Sequence, residues 1–461
     1  MIHFLLEGLP LESFNTISHA AFELGCRLNT RFSIHRAAST VPSGGIVVSY
    51  GDADAAAVVV PISPKPGAPI QVDDRWLYAS PADTPDIFQG TADLLEFRHE
   101  SRMGRSRDKM GRIGPAANPL TPWLREPLIE NNAEYLKRLI EKHGATVPQV
   151  STPFGEGQYA VCITHDVDGP RLHSWFALGR SLAYALKGDK YERESFELGL
   201  LTKVLRRPDP YWSFEFWQEL EQSYGARSTF LFYMGELPAA SRHARDPHYN
   251  PLKGRFRATM HLLKDTGWEV GPHIGINGHS VDGYKQSIER VHNLCWRRPV
   301  SVRTHYWSGM QHPLSAWKNM DEAGLKTDAS LSPQAIGYRG GAMMPVLPSY
   351  RWRSDLDGIV AMPTPIMDAY IVPRSSGLSR SESRAQATQI LDNARRFGGL
   401  VVLDWHARTL CNAGAWKGYM APLVEILNAV KADGSAKFMT MAEVGDAWRE
   451  HAKRCFVGEA A

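Results

Sequence analysis

At 461 residues the chain exceeds what one ordinary core accommodates, so two domains are expected. A hydrophobic fraction of 43%, a charged fraction of 22% and thirteen tryptophans exclude a disordered or fibrous chain. The net charge of +3 is too small to mark a nucleic-acid binder or an acidic tail.

The first stretch, "MIHFLLEGLPLESFNTISHAAFELG", lacks a basic start followed by a long apolar run, because acids and prolines interrupt it. No segment is apolar over a length that spans a bilayer, so no transmembrane segment and a cytoplasmic location are expected. Residues 1 to about 98 carry short apolar runs ("GGIVVSYG", "AAAVVVPIS") broken by Gly and Pro, as in a small α/β or β-rich unit. "RHESRMGRSRDKMGR", residues 98–112, holds six Lys/Arg and reads as a solvated loop, with a phosphate-binding patch as the alternative. In "PLIENNAEYLKRLIEKHG" the apolar residues recur at helical spacing from Leu128 to Ile140, and Gly144 suits the end of that helix. "ATVPQVSTPFGEG" then reads as a linker, which puts the domain boundary near residue 150, with 1–150 as an accessory unit and 151–461 as the second domain.

From Tyr159 onward, short apolar strands alternate with segments rich in helix formers. "YAVCIT", "STFLFYM", "WEVGPH", "SVRTHYW", "GIVAMPT" and "LVVLDWH" predict βα units and a mainly parallel sheet or barrel. The basic and aromatic stretch 171–217 reads as an elaborated helical crossover, or else a lid over the substrate. Cys26, Cys162, Cys295, Cys411 and Cys455 have no paired spacing and read as reduced thiols.

Parallel βα proteins carry their chemistry where the strands end. The first of these strands runs into "HDVD". Alternation puts Thr164, Asp166 and Asp168 on one face and His165 on the other, so His165 reads as a packing residue. Asp-x-Asp alone also fits a glycosyltransferase that holds a metal-bound nucleotide sugar. Three more strand ends bring His273, the pair Arg303 and His305, and the pair Asp404 and His406. Imidazole and carboxylate together are the donors a borderline divalent ion prefers, and an open zinc site needs about three of them.

At these residues the sequence resembles the polysaccharide deacetylase family (NodB-like, carbohydrate esterase family four). Within it, the chain resembles the branch whose first motif reads Thr-His-Asp-Val-Asp. "ITHDVD", "ARSTFLFY", "EVGPHIGIN", "VRTHYW", "GYRGG" and "VVLDWH" stand in the family's order over roughly residues 155–410, and "REPLIENNAEYLKRLI" resembles the end of an N-terminal domain that accompanies this branch. The resemblance implies a distorted (β/α) barrel with a smaller N-terminal α/β domain. It also implies metal-assisted removal of an acyl group from an N-acetylated amino sugar; the cytoplasmic location expected above favours a nucleotide- or lipid-linked amino sugar, or a precursor of a surface polysaccharide, over an assembled wall polymer. It makes Asp166 the general base, Arg303 the residue that holds it and His406 the general acid. Asp168, His273 and His305 become ligands of a divalent ion, with zinc the first expectation. Where the family pattern has a second histidine four residues after the first, this chain has Asn277, so His305, His279 and Asn277 compete for the third ligand place, with Asn277 otherwise touching a ligand from behind or reaching the ion through a water. Arg339 is a substrate contact or a turn anchor. Asp404 orients His406 or pairs with an arginine. Asp368 matches the branch without an assigned role. Hydrolysis of a small cyclic amide or formamide on the same scaffold is the nearest rival. Oligomeric state and the role of the N-terminal unit are not legible.

Overall fold

The computed structural model describes residues 1–460 apart from 52–57, 64, 82, 102–105, 236–242, 244 and 349–355. The basic run 98–112 therefore falls partly outside the described residues. Within it, Arg107 donates to the Gly111 carbonyl at 2.8 Å and Arg112 pairs with Asp108 at 2.7 Å.

The N-terminal strands are short and β-branched or aromatic: β1 (Ile2–Leu5), β2 (Phe32–His35), β3 (Ile46–Tyr50) and β4 (Val58–Val60). They form a parallel sheet, while β5 (Ala68–Val72) and β6 (Arg75–Ala79) form a separate antiparallel hairpin. The helical spacing read from the sequence corresponds to helix Leu128–Lys142, and Gly144, at φ +81°, takes the left-handed turn just beyond it.

The second sheet is parallel, and its strand order follows the chain. It comprises β7 (Tyr159–Val167), β8 (Thr229–Tyr233), β9 (Glu269–Ile274), β10 (Ser301–Thr304), β11 (Thr327–Leu331), β12 (Val360–Pro363), β13 (Ile366–Met367) and β14 (Leu400–Asp404). Because β14 returns to pair with β7, the sheet curls into a distorted (β/α) barrel, interrupted between β12 and β13. A further strand, β15 (Ala436–Phe438), pairs with the start of β7 at Tyr159–Val161, and β8 takes over from Thr164. The last strand, β16 (Phe456–Ala460), leaves the barrel and adds to the first sheet beside β2.

The six strands expected after Tyr159 are present. Strands β11, β13, β15 and β16 stand outside that expectation; β11, "TDASL", has polar side chains that mask it. Its Asp328 is fully buried, accepts from Trp317 Nε1 at 2.9 Å, and is pushed up to about 6 by burial. The stretch 171–217 is a helical excursion: helices Trp175–Leu186 and Lys190–Val204 pack on each other, and helix Phe214–Ser223 leads into β8. All five cysteines are free thiols. No helix among the described residues is long and apolar enough to cross a membrane.

One apolar core joins the two sheets. Phe4, Phe32, Phe88 and Leu136 belong to the same buried cluster as Cys162, Met362, Val402 and Trp448. A buried charged network crosses the same junction. Arg27 donates to Glu130 at 2.8 Å and pairs with Glu23. Glu130 also accepts from the backbone of Met343 and Met344, and Glu23 from Leu347. Removing one member leaves the others charged and desolvated. Glu130→Ala is therefore expected to cost about 3–5 kcal/mol of stability, read as a lower denaturation midpoint with the denaturant slope unchanged.

Candidate metal centre

Strand register explains why distant residues meet. In the β9–β10 pair, His273 stands level with Arg303, and in the β8–β9 pair it stands level with Tyr233. Asp404 stands level with Thr164 on one side and Met367 on the other. The ends of β7, β9, β10, β13 and β14 thus open on one rim of the barrel, the C-terminal rim where parallel strands present their loops.

At that rim the donor atoms of Asp168, His273 and His305 all lie within 4.8 Å of one another, and all three residues are buried. His273 Nε2 is 3.6 Å from Asp168 Oδ1, and His305 Nε2 is 3.2 Å from Asp168 Oδ2. His273 Nδ1 faces the Arg303 carbonyl at 3.2 Å, which places the proton on Nδ1 and leaves Nε2 with a free lone pair. That Nε2 and Asp168 Oδ1 are buried without a hydrogen-bond partner. Two buried acceptors facing each other are costly unless a cation lies between them. The donor set of two imidazoles and one carboxylate, open on one side, fits a divalent ion.

His305 owes its orientation to a residue outside every sequence motif. Its Nδ1 donates to Asp246 Oδ1 at 2.9 Å, and Asp246 is itself held by the Ile276 amide at 3.0 Å. Burial opposes protonation of His305, but Asp168 and Asp246 push it up to about 9. A carboxylate behind a ligating imidazole fixes its tautomer and raises its basicity. Asp246→Ala is therefore expected to weaken metal binding about 10–100-fold, measurable by competition with a chromogenic chelator.

Asp166 sits one strand step deeper. Arg303 Nη1 lies 3.1 Å from Asp166 Oδ1 and 3.0 Å from Asp404 Oδ1, while its Nε donates to the Ala329 carbonyl at 2.9 Å. His273 Nε2 is 3.6 Å from Asp166 Oδ2. Burial alone raises Asp166, yet the positive charge facing it, with Arg303 Nη1 at 3.1 Å, outweighs burial and holds the carboxyl below its ordinary range. Asp168 is driven well below its ordinary range, with His305 and His406 overcoming burial.

His406 closes the other side, with Nε2 3.5 Å from Asp168 Oδ2. Of the two roles the sequence left open for Asp404, orienting His406 or pairing with an arginine, the structure shows the second. Asp404 does not hold His406; Asp368 does, accepting from the His406 amide at 2.9 Å and facing Nδ1 at 3.0 Å. The strand ends at Asp404, so the alternation that would give Asp404 and His406 a common face stops there. Asp404 stays inside the barrel against Arg303, fully buried, and is pushed up to about 8 by that burial despite the guanidinium. Burial disfavours a charged His406, but Asp368 and Asp168 raise it well above the ordinary imidazole value.

The remaining candidates lie apart. Arg339 is turned away from the cluster, donating from Nε and Nη2 to Glu100, both at 2.8 Å, and to the Met310 carbonyl at 2.7 Å. It anchors a turn rather than a substrate. Asn277 is exposed in the turn after β9. His279 contacts Ser308 Oγ at 3.0 Å, outside the donor cluster, and burial lowers it to about 4. His165, on the opposite face of β7, is fully buried between the Trp405 carbonyl at 2.7 Å and Glu221 at 2.6 Å. Just past His305 the chain turns through two consecutive non-glycine residues in the left-handed region, Tyr306 at φ 56° and Trp307 at φ 55°. Such strain persists only where surrounding contacts over-determine it, and here Trp307 Nε1 is tied to the Tyr370 hydroxyl at 2.9 Å.

No protein-family model matches this sequence, and no curated protein does. Among solved structures the chain is similar to a putative polysaccharide deacetylase from Mycobacterium smegmatis, at 15% identity over 64% of this chain and 91% of that one, with a TM-score of 0.39. It is likewise similar to a probable polysaccharide deacetylase from Pseudomonas aeruginosa PAO1 (12% identity, 67% and 96% covered, TM-score 0.42). A PuuE allantoinase aligns at 11% identity over 67% and 95%, with a TM-score of 0.42.

Proposed function

We propose that this chain is a metal-dependent hydrolase that removes an acyl group, acetyl foremost, from the nitrogen of an amino sugar. The observation that carries this reading is the pairing of an open donor triad, Asp168, His273 and His305, with an arginine-held carboxylate on one side and a carboxylate-held imidazole on the other. A divalent ion held by the triad, zinc first among candidates, supplies polarisation of the substrate carbonyl and acidification of a water molecule.

The chain's own residues supply the rest. Asp166, kept ionised by the Arg303 guanidinium, accepts the proton of the attacking water. Arg303 fixes the direction in which that carboxylate points, being itself anchored on the Ala329 carbonyl. His406, with Nδ1 facing Asp368, presents Nε2 to the scissile bond and delivers a proton to the departing nitrogen. An amide leaves as an amine only when that nitrogen is protonated, so base and acid must act from opposite sides of one carbonyl. Asp166 stands on β7 and His406 two residues past the end of β14, and those strands are hydrogen-bonded neighbours.

The reading is tested by incubating zinc-loaded and chelator-stripped protein with a panel of N-acetylated amino sugars and following acetate release. Release that requires the metal is the expected result. Metal-independent hydrolysis, or turnover of cyclic amides alone, contradicts it. The cytoplasmic setting belongs to the same proposal and is tested by fractionating cells that express the full chain.

A further inference from the structure

The cleft that opens on the triad has a charge pattern that deacylation alone does not require. It encloses about 590 Å³, with Asp168 and His305 on its wall, which is ample for a sugar and an attached group. Five cationic side chains line it: Arg171, Arg180, Arg245, Lys253 and Arg408. They come from the loop after β7, the helix Trp175–Leu186, the segment between β8 and the helix Gly254–Asp265, and the loop after β14. This is convergence of separate segments, not one basic run, in a chain whose net charge is only +3.

The described lining residues include two acids, Asp168 and Asp246, and both are committed to the donor cluster and to His305. Arg180 has a contact with Glu192 at 3.5 Å, at the solvent surface, where such a pair contributes little. Arg408 donates to the Asp168 carbonyl and lies 3.9 Å from that side chain, so it stands at the mouth of the metal centre. Phe176 and Tyr184, on the same helix as Arg180, add apolar wall for a sugar face.

We infer that the substrate carries a phosphate or diphosphate ester, bound by these cations while its acyl group reaches the triad. A single carboxylate is saturated by one arginine fork. A phosphate offers three strong acceptor oxygens and a diphosphate more, matching several guanidinium and ammonium groups at once. The inference rests on the hydrolase reading for the acyl group but not for the anion.

The test is calorimetric binding to the zinc-loaded Asp166→Asn protein, in which turnover is blocked. The probes are N-acetylglucosamine 1-phosphate, UDP-N-acetylglucosamine and methyl N-acetylglucosaminide. The phosphorylated probes are expected to bind at least about 30-fold tighter than the neutral glycoside, and less so as salt is raised. The tighter of the two identifies the monoester or the diphosphate as the recognised form. In the triple variant Arg171→Ala/Arg180→Ala/Lys253→Ala, still holding one equivalent of zinc as proof of its fold, the preference is expected to collapse. Equal binding of neutral and phosphorylated probes by the parent protein, or a preference that survives the triple variant, overturns the inference. The two readings fail separately: a phosphate preference without acetate release from any sugar removes the hydrolase alone, and acetate release without a preference removes the subsite alone.

Discussion

Asp168→Ala protein is expected to fold and to purify without stoichiometric metal. Asp168 is the one residue whose two carboxylate oxygens face both imidazoles of the cluster, at 3.6 and 3.2 Å. Its removal takes away the only anionic donor and leaves His273 and His305 to hold a dication unaided. The loss of affinity is expected to exceed the roughly 10–100-fold penalty of losing an outer-shell partner such as Asp246. Elemental analysis after desalting reads the result directly, and His273→Ala should behave alike. A full equivalent of zinc in both variants would mean that the ion sits elsewhere.

Asp166→Asn separates chemistry from binding. Its Oδ1 is oriented by Arg303 at 3.1 Å, and it lies outside the three-residue donor cluster. The amide keeps the shape and an oxygen for Arg303 but cannot accept a proton from water. The metal content is therefore expected to stay at one equivalent while kcat falls about 10²–10⁴-fold, the range general bases contribute. Undiminished turnover would remove Asp166 from the mechanism. Lost metal would reassign it as a ligand.

The strands of the barrel were legible because they are apolar runs that end abruptly in charge, as "YAVCITHDVD" does. β11 was not legible, since its buried Asp328 and Ser330 satisfy each other locally and erase the apolar signature. The residues that converge on the triad were readable from strand ends, where period-two alternation fixes the face of each side chain. That rule still serves Asp168 and His305, one residue past β7 and β10, but not His406, two residues past β14. Asp404 and His406 part company at the end of β14, and the partner of His406 turned out to be Asp368, which begins a separate short helix. Asp246 carried no signal at all. It lies between β8 and the next helix, in no strand and no repeat, and only folding brings it 2.9 Å from His305 across 59 residues. For Arg339 the sequence left a substrate contact and a turn anchor both open, and the structure selects the anchor: the flanking glycines let the backbone turn so that the guanidinium reaches Glu100. The C-terminal return of β16 to the first sheet was equally invisible, because pairing between strands over 400 residues apart leaves no local pattern.

The proposed chemistry requires a cation among Asp168 just past β7, His273 on β9 and His305 just past β10. An anomalous difference map, collected at the zinc absorption edge from crystals grown with zinc, tests that most directly. A single peak about 2.0–2.2 Å from His273 Nε2, His305 Nε2 and an Asp168 oxygen is the predicted result. A peak bound by other residues, or an Arg or Lys side chain filling the space between the two imidazoles, would contradict it.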